Sequence, residues 1–479
     1  MLIVQNGYDC PYEMRLFAGL FFGEDDEAEI FSDFRYSDRK INVYTQINRE
    51  GKVYFYDHWF DFDAEGSTER MRKKIFTASC TRSLCHAAEQ AVNISLPWGV
   101  MCGIRPAKNA REMMESGYSE DEVRRIFKEV YEVNEEKTEL ALTVARNEEL
   151  LLKKIEPESV SIYIGIPFCP TRCVYCSFVS TDIRTSGKYM AEFVDKLMLE
   201  IDKTAEIINK IGAYVDNIYI GGGTPTTLSA EDITRVCERL RLHFDFSKIK
   251  EFTIEAGRPD TITEAKLIAA SDGGVDRISI NPQSMNAITL EKVGRTHSPE
   301  MIRECFETAR RVGIKNINMD LIAGLPGEDF EMFRYSLDEV IKLDPEDITV
   351  HSLCVKRAAD FNHSENKRLT EAEQMNKMLA YTQRRMKETG REPYYMYRQK
   401  NSSGNLENVG YAKNGYMSTY NINIMEEKQT IIALGGGGST KLIMGDKIER
   451  IFNFKDPLEY IRRFDEILKK KDEIAEFLK

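Results

Sequence analysis

The stretch Ser161-Ile-Tyr-Ile-Gly-Ile-Pro-Phe-Cys169-Pro-Thr-Arg-Cys173-Val-Tyr-Cys176 gives the first information about this 479-residue chain. From Ser161 to Ile166, isoleucine alternates with other residues, which is the period-two pattern of a β-strand. The loop after the strand spaces its three cysteines as Cys-x3-Cys-x2-Cys. The sequence therefore predicts a strand that delivers three thiols to one loop.

Three thiols at this spacing indicate a [4Fe–4S] cluster. Such a cluster is normally held by four cysteines, so three would leave one iron free to bind a small molecule. The amino and carboxylate groups of S-adenosylmethionine (SAM) can chelate that iron. Zinc is the alternative, but structural zinc takes four ligands and no histidine lies nearby in the sequence. The pattern favours a cluster held by Cys169, Cys173 and Cys176.

Composition excludes several classes of protein. The chain is 42% hydrophobic and 30% charged, which is ordinary for a folded protein. Its length predicts two or three domains. A net charge of −12 argues against a nucleic-acid surface. No long apolar run and no secretory signal is recognisable, and the cysteines outside the motif show no pairing pattern, so we expect a cytoplasmic protein without a membrane span.

The region from about 160 to 355 alternates short strands with helices. This alternation predicts a parallel sheet with right-handed crossovers, and six units predict a partly open (β/α)6 barrel. Helices are expected to begin at Ser229 and at Ser298-Pro299, where capping residues stand. The six predicted strand cores are Ile162–Ile166, Ile218–Ile220, Phe252–Glu255, Arg277–Asn281, Ile317–Leu321 and Ile348–His351.

One face of these strands is polar. Glu255, Asp320 and His351 each lie opposite apolar neighbours in their strands. Parallel strands are normally apolar on both faces, because both are buried. We therefore expect the polar face to line a cavity, with the chemistry at the carboxyl ends of the strands.

The fold class predicted from these patterns is α/β, with three domains. An α+β N-terminal domain of unknown role would span 1–155, the barrel 156–360, and a mixed C-terminal domain that covers the substrate 361–479. In the first domain, the basic run Arg70-Met-Arg-Lys-Lys74 is interpreted as a solvated helix face rather than a binding patch.

The second predicted strand ends in Gly221-Gly222-Gly223-Thr224-Pro225. Glycines at a strand end let the backbone approach a ligand and offer amides to an anionic group. A tight turn between strand and helix explains them equally well. Their place one unit after the cysteine loop, on the same rim, favours a ligand site.

With these motifs the chain resembles the oxygen-independent coproporphyrinogen III oxidase superfamily of radical SAM proteins, and most of all its HemZ-type coproporphyrinogen dehydrogenases. The resemblance is strong over about 160–330. It implies that the three cysteines hold a [4Fe–4S] cluster and that one or two SAM molecules bind. The residues it implies for SAM binding are Tyr163, Tyr175, Gly222, Gly223, Thr224, Glu255, Gln283, Arg295 and Asp320.

The resemblance also implies an activity. In this family a radical generated from SAM removes a hydrogen atom from a substrate propionate, and loss of CO2 and one electron leaves a vinyl group. Two rounds convert coproporphyrinogen III into protoporphyrinogen IX in anaerobic haem biosynthesis. The implied partners are a tetrapyrrole substrate and an electron donor such as flavodoxin or ferredoxin. Beyond the cluster and SAM no catalytic side chain is assigned. Candidate cations for the substrate carboxylates are Lys356, Arg357, Arg398 and Lys400.

The sequence departs from its relatives in ways that keep alternatives open. Glu407-Asn408-Val-Gly-Tyr411 stands where haem chaperones of the superfamily carry His-Asn-x-x-Tyr, and Gly165 stands where many relatives have histidine. Loss of the first histidine removes an obvious haem ligand. The alternatives are a haem or porphyrin chaperone and another tetrapyrrole-modifying radical SAM enzyme.

Overall fold

The computed structural model describes residues 1–23, 26–64, 67–92, 96–103, 105–176, 180–354, 372–399, 405–445 and 447–477. They form two compact units. Unit 1 is Met1–Ala145 together with Arg398, Gln399, Asn405 and Leu406. Unit 2 contains Arg146–Tyr397 and Glu407–Lys479. The three predicted domains, with boundaries at 155 and 360, stay a prediction.

Unit 1 is an α+β unit, as predicted. Its four-stranded sheet has the order β1-β2-β3-β4, with β1 parallel to β2 and the other pairs antiparallel. Alternate residues of β2 and β3 are buried, among them Ile30, Ile41 and Val43, so one face of the sheet forms the core. The elements are β1 (Leu2–Asn6), α1 (Pro11–Phe22), β2 (Glu29–Ser37), β3 (Lys40–Arg49), β4 (Lys52–Asp61), α2 (Glu69–Glu89), α3 (Pro106–Glu115), α4 (Glu120–Glu129) and α5 (Glu135–Leu152), which continues into unit 2.

Unit 2 begins with alternating strands and helices. These elements are β5 (Ser159–Ile166), β6 (Phe168–Cys169), β7 (Thr181–Asp182), α6 (Ile183–Ser186), α7 (Met190–Lys210), β8 (Tyr214–Gly222), α8 (Ala230–His243), β9 (Glu251–Gly257), α9 (Glu264–Asp272), β10 (Arg277–Ile280), α10 (Ala287–Lys292), α11 (Pro299–Arg311), β11 (Asn316–Ala323), α12 (Phe330–Leu343) and β12 (Asp347–Ser352). Later elements are α13 (Ala372–Glu388), β13 (Arg391–Arg398), β14 (Glu407–Lys413), α14 (Thr419–Glu426), β15 (Ile431–Gly435), β16 (Ser439–Met444), β17 (Lys447–Phe452), α15 (Pro457–Arg462) and α16 (Phe464–Phe477).

The six predicted strands β5, β8, β9, β10, β11 and β12 lie side by side in chain order, and all are parallel. They belong to an 11-stranded sheet that does not close among the described strands, which confirms a partly open barrel. At one side β14 pairs antiparallel with β12. At the other side β15 pairs parallel with β5, and β16 and β17 follow it. Strands from the C-terminal region thus extend the sheet at both sides.

Local signals set the helix starts as predicted. The Ser229 hydroxyl accepts a hydrogen bond from the Asp232 amide at 3.0 Å, and Ser298 accepts one from Met301 at 3.3 Å before the first-turn Pro299. None of the described helices is long and apolar enough to cross a membrane.

The polar face of the sheet has two parts. Near the amino ends of the strands it is a buried hydrogen-bonded layer. There Asn318 donates to the Ser279 hydroxyl at 3.3 Å and accepts from Thr349 at 3.2 Å. Nearer the carboxyl ends, Glu255 and Asp320 are only partly buried. Among the residues compared, the polar face is therefore more exposed near the carboxyl edge, where the chemistry was predicted.

A buried ion pair lies at the opposite, amino-terminal end of the strands. Arg277 of β10 pairs with Asp347 of β12, and their side chains are 2% and 0% exposed. Tyr394 of β13 donates to the same carboxylate at 2.6 Å. Arg277 also donates to the Tyr416 carbonyl at 3.1 Å. This network connects the parallel strands to the C-terminal region.

Candidate functional site

The cysteine loop starts directly after β5 and is fixed by backbone bonds. Cys173 is buried, whereas Cys169 and Cys176 are partly exposed. The Val174 amide donates to the Val293 carbonyl at 3.2 Å, which ties the loop to the segment after α10. In the described part of the chain, no three His, Cys, Asp or Glu side chains are grouped to hold one metal ion. A cubane cluster takes each thiolate on a different iron, so its cysteines need not converge on one point.

Arg258 supports this loop. The sequence analysis did not predict it as a site residue. It is buried, and its guanidinium donates to the Thr171 hydroxyl at 2.8 Å and carbonyl at 3.1 Å and lies 3.7 Å from the Cys173 sulfur. Asp260 holds the guanidinium from the other side at 2.9 Å. Arg258 thus places positive charge beside a sulfur that a cluster needs as thiolate. Its position just after a barrel strand was the available signal.

The glycine segment after β8 packs against the cysteine loop. Gly222 has φ +107°, and a Cβ on Gly223 would lie 2.6 Å from the Phe168 carbonyl oxygen and 3.0 Å from the Cys169 sulfur. The amides of Gly223 and Thr224 donate to the backbone of the β5–β6 segment, at 2.8 Å each. The backbone therefore uses these two amides, whereas the Gly222 amide donates to the Glu255 carboxylate. That the segment binds an anionic ligand stays a prediction. The glycines leave room for the loop and for a group bound on it.

Glu255 lies at the centre of the rim beside a stack of tyrosines. Tyr219 donates to its carboxylate at 2.5 Å, and the Tyr219 ring stacks 6.2 Å from Tyr163 and 4.4 Å from Tyr420. Burial is the main cause that raises the pKa of Glu255 to about 7. A Cβ on Gly221 would come within 2.9 Å of its other oxygen, so glycine is needed there too. Tyr219 and Tyr420 were not predicted from the sequence.

Asp320 is the second carboxylate of the rim. Burial acts to raise its pKa, but the nearby His351 and a hydrogen bond from Asn318 outweigh this and keep the pKa below its ordinary value. The His351 Nε2 lies 3.7 Å from one carboxylate oxygen, and Asn318 donates to the other at 2.8 Å. Asp320 therefore stays ionised and can accept hydrogen bonds from a ligand.

Gln283 joins the site through its backbone. Its amide donates to the Asp320 carbonyl at 2.9 Å, and its carbonyl accepts from Ile322 at 3.0 Å. It adopts φ +67°, an uncommon conformation for a residue with a side chain. Its side-chain Oε1 is buried without a hydrogen-bond partner among the described residues. Such an atom is expected where a ligand supplies the missing donor.

Arg295 and Tyr175 form a pair on the same rim. Arg295 donates to the Tyr175 hydroxyl at 3.0 Å and to the Asn281 carbonyl at 2.6 Å. Both residues lie next to Cys173. The structure thus brings the predicted SAM residues and the cysteine loop to one edge of the sheet, and the roles of the individual residues stay predictions.

These residues fit a cluster and SAM. Three thiols lie on one loop with a glycine segment packed against it, and the buried Gln283 oxygen lacks a donor among the described residues. Two carboxylates, Glu255 and Asp320, can accept from the amino and ribose hydroxyl groups of SAM. SAM also carries a sulfonium, whose positive charge either carboxylate could compensate.

The remaining sequence candidates have other surroundings. Lys356, Arg357 and Lys400 lie outside the described residues. Arg398 belongs to unit 1, where it donates to the carbonyls of Met101 and Gly103 at 2.5 and 2.7 Å. A Cβ on Gly165 would collide with the Gly436 carbonyl oxygen, which accounts for the glycine at a position where many relatives have histidine.

The motif that differs from the haem chaperones is buried. Glu407 is 1% exposed, so a haem ligand at that position would not face solvent. The Asn408 side chain accepts from the Ser352 amide at 3.0 Å and donates to the Tyr397 carbonyl at 3.1 Å. Asn408 therefore has a structural role, since it fastens β14 to the end of β12.

Comparisons with known proteins identify the family of this chain. The Radical SAM superfamily model matches residues 163–340. The oxygen-independent coproporphyrinogen-III oxidase-like protein HemZ of Bacillus subtilis is 38% identical over 95% of this chain and 93% of its own. The haem chaperone HemW of the same organism is 31% identical over 56% of this chain and 68% of its own.

Among solved structures, the Escherichia coli coproporphyrinogen III oxidase HemN, a radical SAM enzyme, shares the fold. Its TM-score is 0.54 at 23% identity, over 68% of this chain and 73% of HemN. The cofactors implied by the family are a [4Fe–4S] cluster and SAM, as the sequence predicted. The chain belongs to the radical SAM superfamily and, within it, to the oxygen-independent coproporphyrinogen III oxidase family of HemZ-like proteins.

Proposed function

We propose that this chain oxidatively decarboxylates two propionates of coproporphyrinogen III to vinyl groups and so forms protoporphyrinogen IX. The observation that carries the proposal is the extent of the HemZ similarity, which covers 95% of the chain. The HemW similarity covers 56% of it. Similarity across both units favours a function that uses the whole chain rather than unit 2 alone.

The chain's own residues would hold and orient the cofactors. When bound, the cluster and SAM supply the one-electron chemistry that removes a hydrogen atom from a propionate. The three cysteines would hold the cluster, and Arg258 would keep its loop in place. Glu255 and Asp320 would accept hydrogen bonds from SAM, and Tyr175 with Arg295 would border it. Tyr219 would orient the Glu255 carboxylate through its hydrogen bond.

The test is an anaerobic assay of the full chain after cluster reconstitution, with SAM, a strong reductant and coproporphyrinogen III. We expect two 5′-deoxyadenosine and two CO2 per protoporphyrinogen IX, because each propionate gives one hydrogen atom to a 5′-deoxyadenosyl radical and one electron to a one-electron acceptor in the assay, and releases CO2. A control without porphyrinogen measures uncoupled SAM cleavage. SAM cleavage that leaves the porphyrinogen unchanged would contradict this substrate while keeping the radical chemistry.

A haem chaperone is the second candidate, because HemW is 31% identical over 68% of its own length. Asn408 and Tyr411 match its motif, but Glu407 replaces the histidine. Haem titration of the same reconstituted protein separates the two functions. One tightly bound haem per chain without porphyrinogen turnover would support the chaperone.

SAM binding is expected to weaken as the pH falls below about 7. The pKa of Glu255 is about 7 and is raised mainly by burial, so acid protonates the carboxylate that would accept from SAM. One unit below this pKa only about a tenth of the carboxylate is ionised, so the Kd for SAM should rise about tenfold between pH 8 and pH 6. Anaerobic calorimetry of the reconstituted chain at pH 6, 7 and 8 measures it.

Glu255→Gln is the matched control for this pH profile. It should bind SAM weakly at pH 8, and any pH dependence it keeps reports the titration of SAM itself. Equal pH profiles for the variant and the unmodified chain would show that Glu255 does not control SAM binding.

A further inference from the structure

Unit 1 contains a cavity of about 370 Å³ that the radical SAM chemistry does not use. One wall is the face of α2 formed by Arg70, Lys73, Lys74, Thr77 and Ala78. These residues stand at positions i, i+3, i+4, i+7 and i+8, the spacing that puts side chains on one side of a helix. The basic run interpreted from the sequence as a solvated face thus contributes three cations to a cavity wall, whereas Arg72 is not part of the lining.

The charge of this cavity is unusual for an acidic chain. The described lining residues include four basic side chains, Arg70, Lys73, Lys74 and Arg398, and one carboxylate, Glu13. The chain as a whole has a net charge of −12. Arg70 is 73% exposed and pairs with Glu112 at 3.1 Å, so Lys73 and Lys74 carry most of the local positive potential, which attracts an anion.

The two lysines keep their charges available for a ligand. Lys74 donates to the Asn109 side-chain oxygen at 3.3 Å, and among the described residues neither Lys73 nor Lys74 lies within 4.0 Å of a carboxylate. Burial and then the nearby Arg70 charge lower the pKa of Lys74. A bound anion would counteract the lowering of the Lys74 pKa, because its negative charge would stabilise the positive charges of both lysines.

Part of the cavity lining, called the floor below, is apolar. Ala78, Val100, Met101 and Tyr131 line it and are buried. The volume lies in the range of small-molecule sites, which pair an apolar wall with a few polar groups. Cationic and apolar groups in the lining of one cavity fit a ligand with an apolar body and a terminal anionic group.

We propose that unit 1 is a ligand-binding unit whose cavity takes an organic anion with an apolar body and a carboxylate held by Lys73 and Lys74. A tetrapyrrole edge bearing a propionate and a fatty acid share this chemistry. The choice of a tetrapyrrole as the first probe rests on the proposed function, whereas the anion site itself does not.

The test uses the full chain without cluster, titrated with coproporphyrin III and followed by quenching of tryptophan fluorescence. Both tryptophans of the chain, Trp59 and Trp98, lie in unit 1, and Trp98 stacks 5.4 Å from the lining residue Arg398. A Trp59→Phe background isolates Trp98. Oleate, added as a competitor, distinguishes a fatty acid from a tetrapyrrole.

We expect Lys73→Met/Lys74→Met to raise the Kd about tenfold or more, and 0.5 M NaCl to weaken binding to the unmodified chain. Arg72→Met is the control, since it removes one of the neighbouring positive charges of the same helix outside the cavity, and it should change the Kd less than twofold. Ala78→Leu, which fills the floor, should weaken binding without altering charge. If oleate displaces the porphyrin at a concentration below that of the porphyrin, the site would be assigned to fatty acids.

Equal effects of the double lysine variant and Arg72→Met would overturn the proposal, as would no quenching by either ligand at saturating concentrations. The readout needs neither cluster nor turnover. If the decarboxylation assay fails while binding still depends on the two lysines, the proposed function is wrong and this site remains supported.

Discussion

Cys173→Ser is expected to abolish 5′-deoxyadenosine formation and to leave a chain that folds. Cys173 is the buried cysteine of the loop, beside Arg258 and next to Arg295. Serine does not replace a thiolate ligand of iron, and two cysteines do not hold a cubane that normally uses three or four. After anaerobic reconstitution, iron should fall from about four per chain to less than one. Iron analysis, visible absorbance and SAM cleavage measure the effect.

Cys305→Ser is the matched control. Cys305 lies in α11 of the same unit, partly exposed, and its thiol donates only to the Pro259 carbonyl at 3.6 Å, a bond that serine can keep. Iron content and SAM cleavage should equal those of the unmodified chain. Full iron loading in Cys173→Ser, or equal losses in both variants, would contradict a cluster on Cys169, Cys173 and Cys176.

Asp347→Ala is expected to cause the largest loss of stability. It removes the partner of Arg277 and leaves a cation uncompensated at 2% exposure, a change that costs about 3–5 kcal/mol. Tyr394 also loses its acceptor. The thermal midpoint of the transition that reports unit 2 should fall by about 5–15 °C. Calorimetry of the cluster-free chain measures it, with hydrogen exchange of β10 and β12 to assign the transition.

Two further variants test the cause. Arg277→Met/Asp347→Leu removes both charges and should recover much of the loss, because the penalty comes from an unpaired buried charge. Glu331→Ala breaks the Arg334–Glu331 pair, whose side chains are 49% and 64% exposed, and should leave the midpoint unchanged. Equal midpoints for Asp347→Ala and Glu331→Ala would show that the buried pair contributes no more than a surface pair.

The barrel could be predicted from the sequence because the patterns that indicate its strands and helices are local. Each parallel strand is a short apolar segment between helices, and Ser229 and Ser298 cap their helices with their own side chains. The cysteine loop and the rim residues follow from their positions at strand ends. The structure places the predicted rim residues together at that edge, since parallel strands point their carboxyl ends the same way.

What the sequence did not show depends on distant contacts. β15 lies beside β5 although the chain between them is long, and no local pattern indicates that pairing. Tyr420 reaches Tyr219 from α14, so its place in the stack depends on the whole fold. Arg258 gave a positional signal, but its contact with Thr171 is also non-local. The cations of α2 were visible as a run, whereas the cavity beside them exists only after other elements pack.

The pairing of β15 with β5 also sets an order of assembly during synthesis. The ribosome makes Ile431–Gly435 long after β5, so the strand that leads into the cysteine loop has one unpaired edge meanwhile. At roughly 5–20 residues per second this interval lasts on the order of tens of seconds. An unpaired edge recruits other strands and promotes aggregation. A nascent chain would therefore need protection at this edge until residue 435 has emerged, and premature termination before Ile431 would leave the cysteine loop on an exposed edge strand.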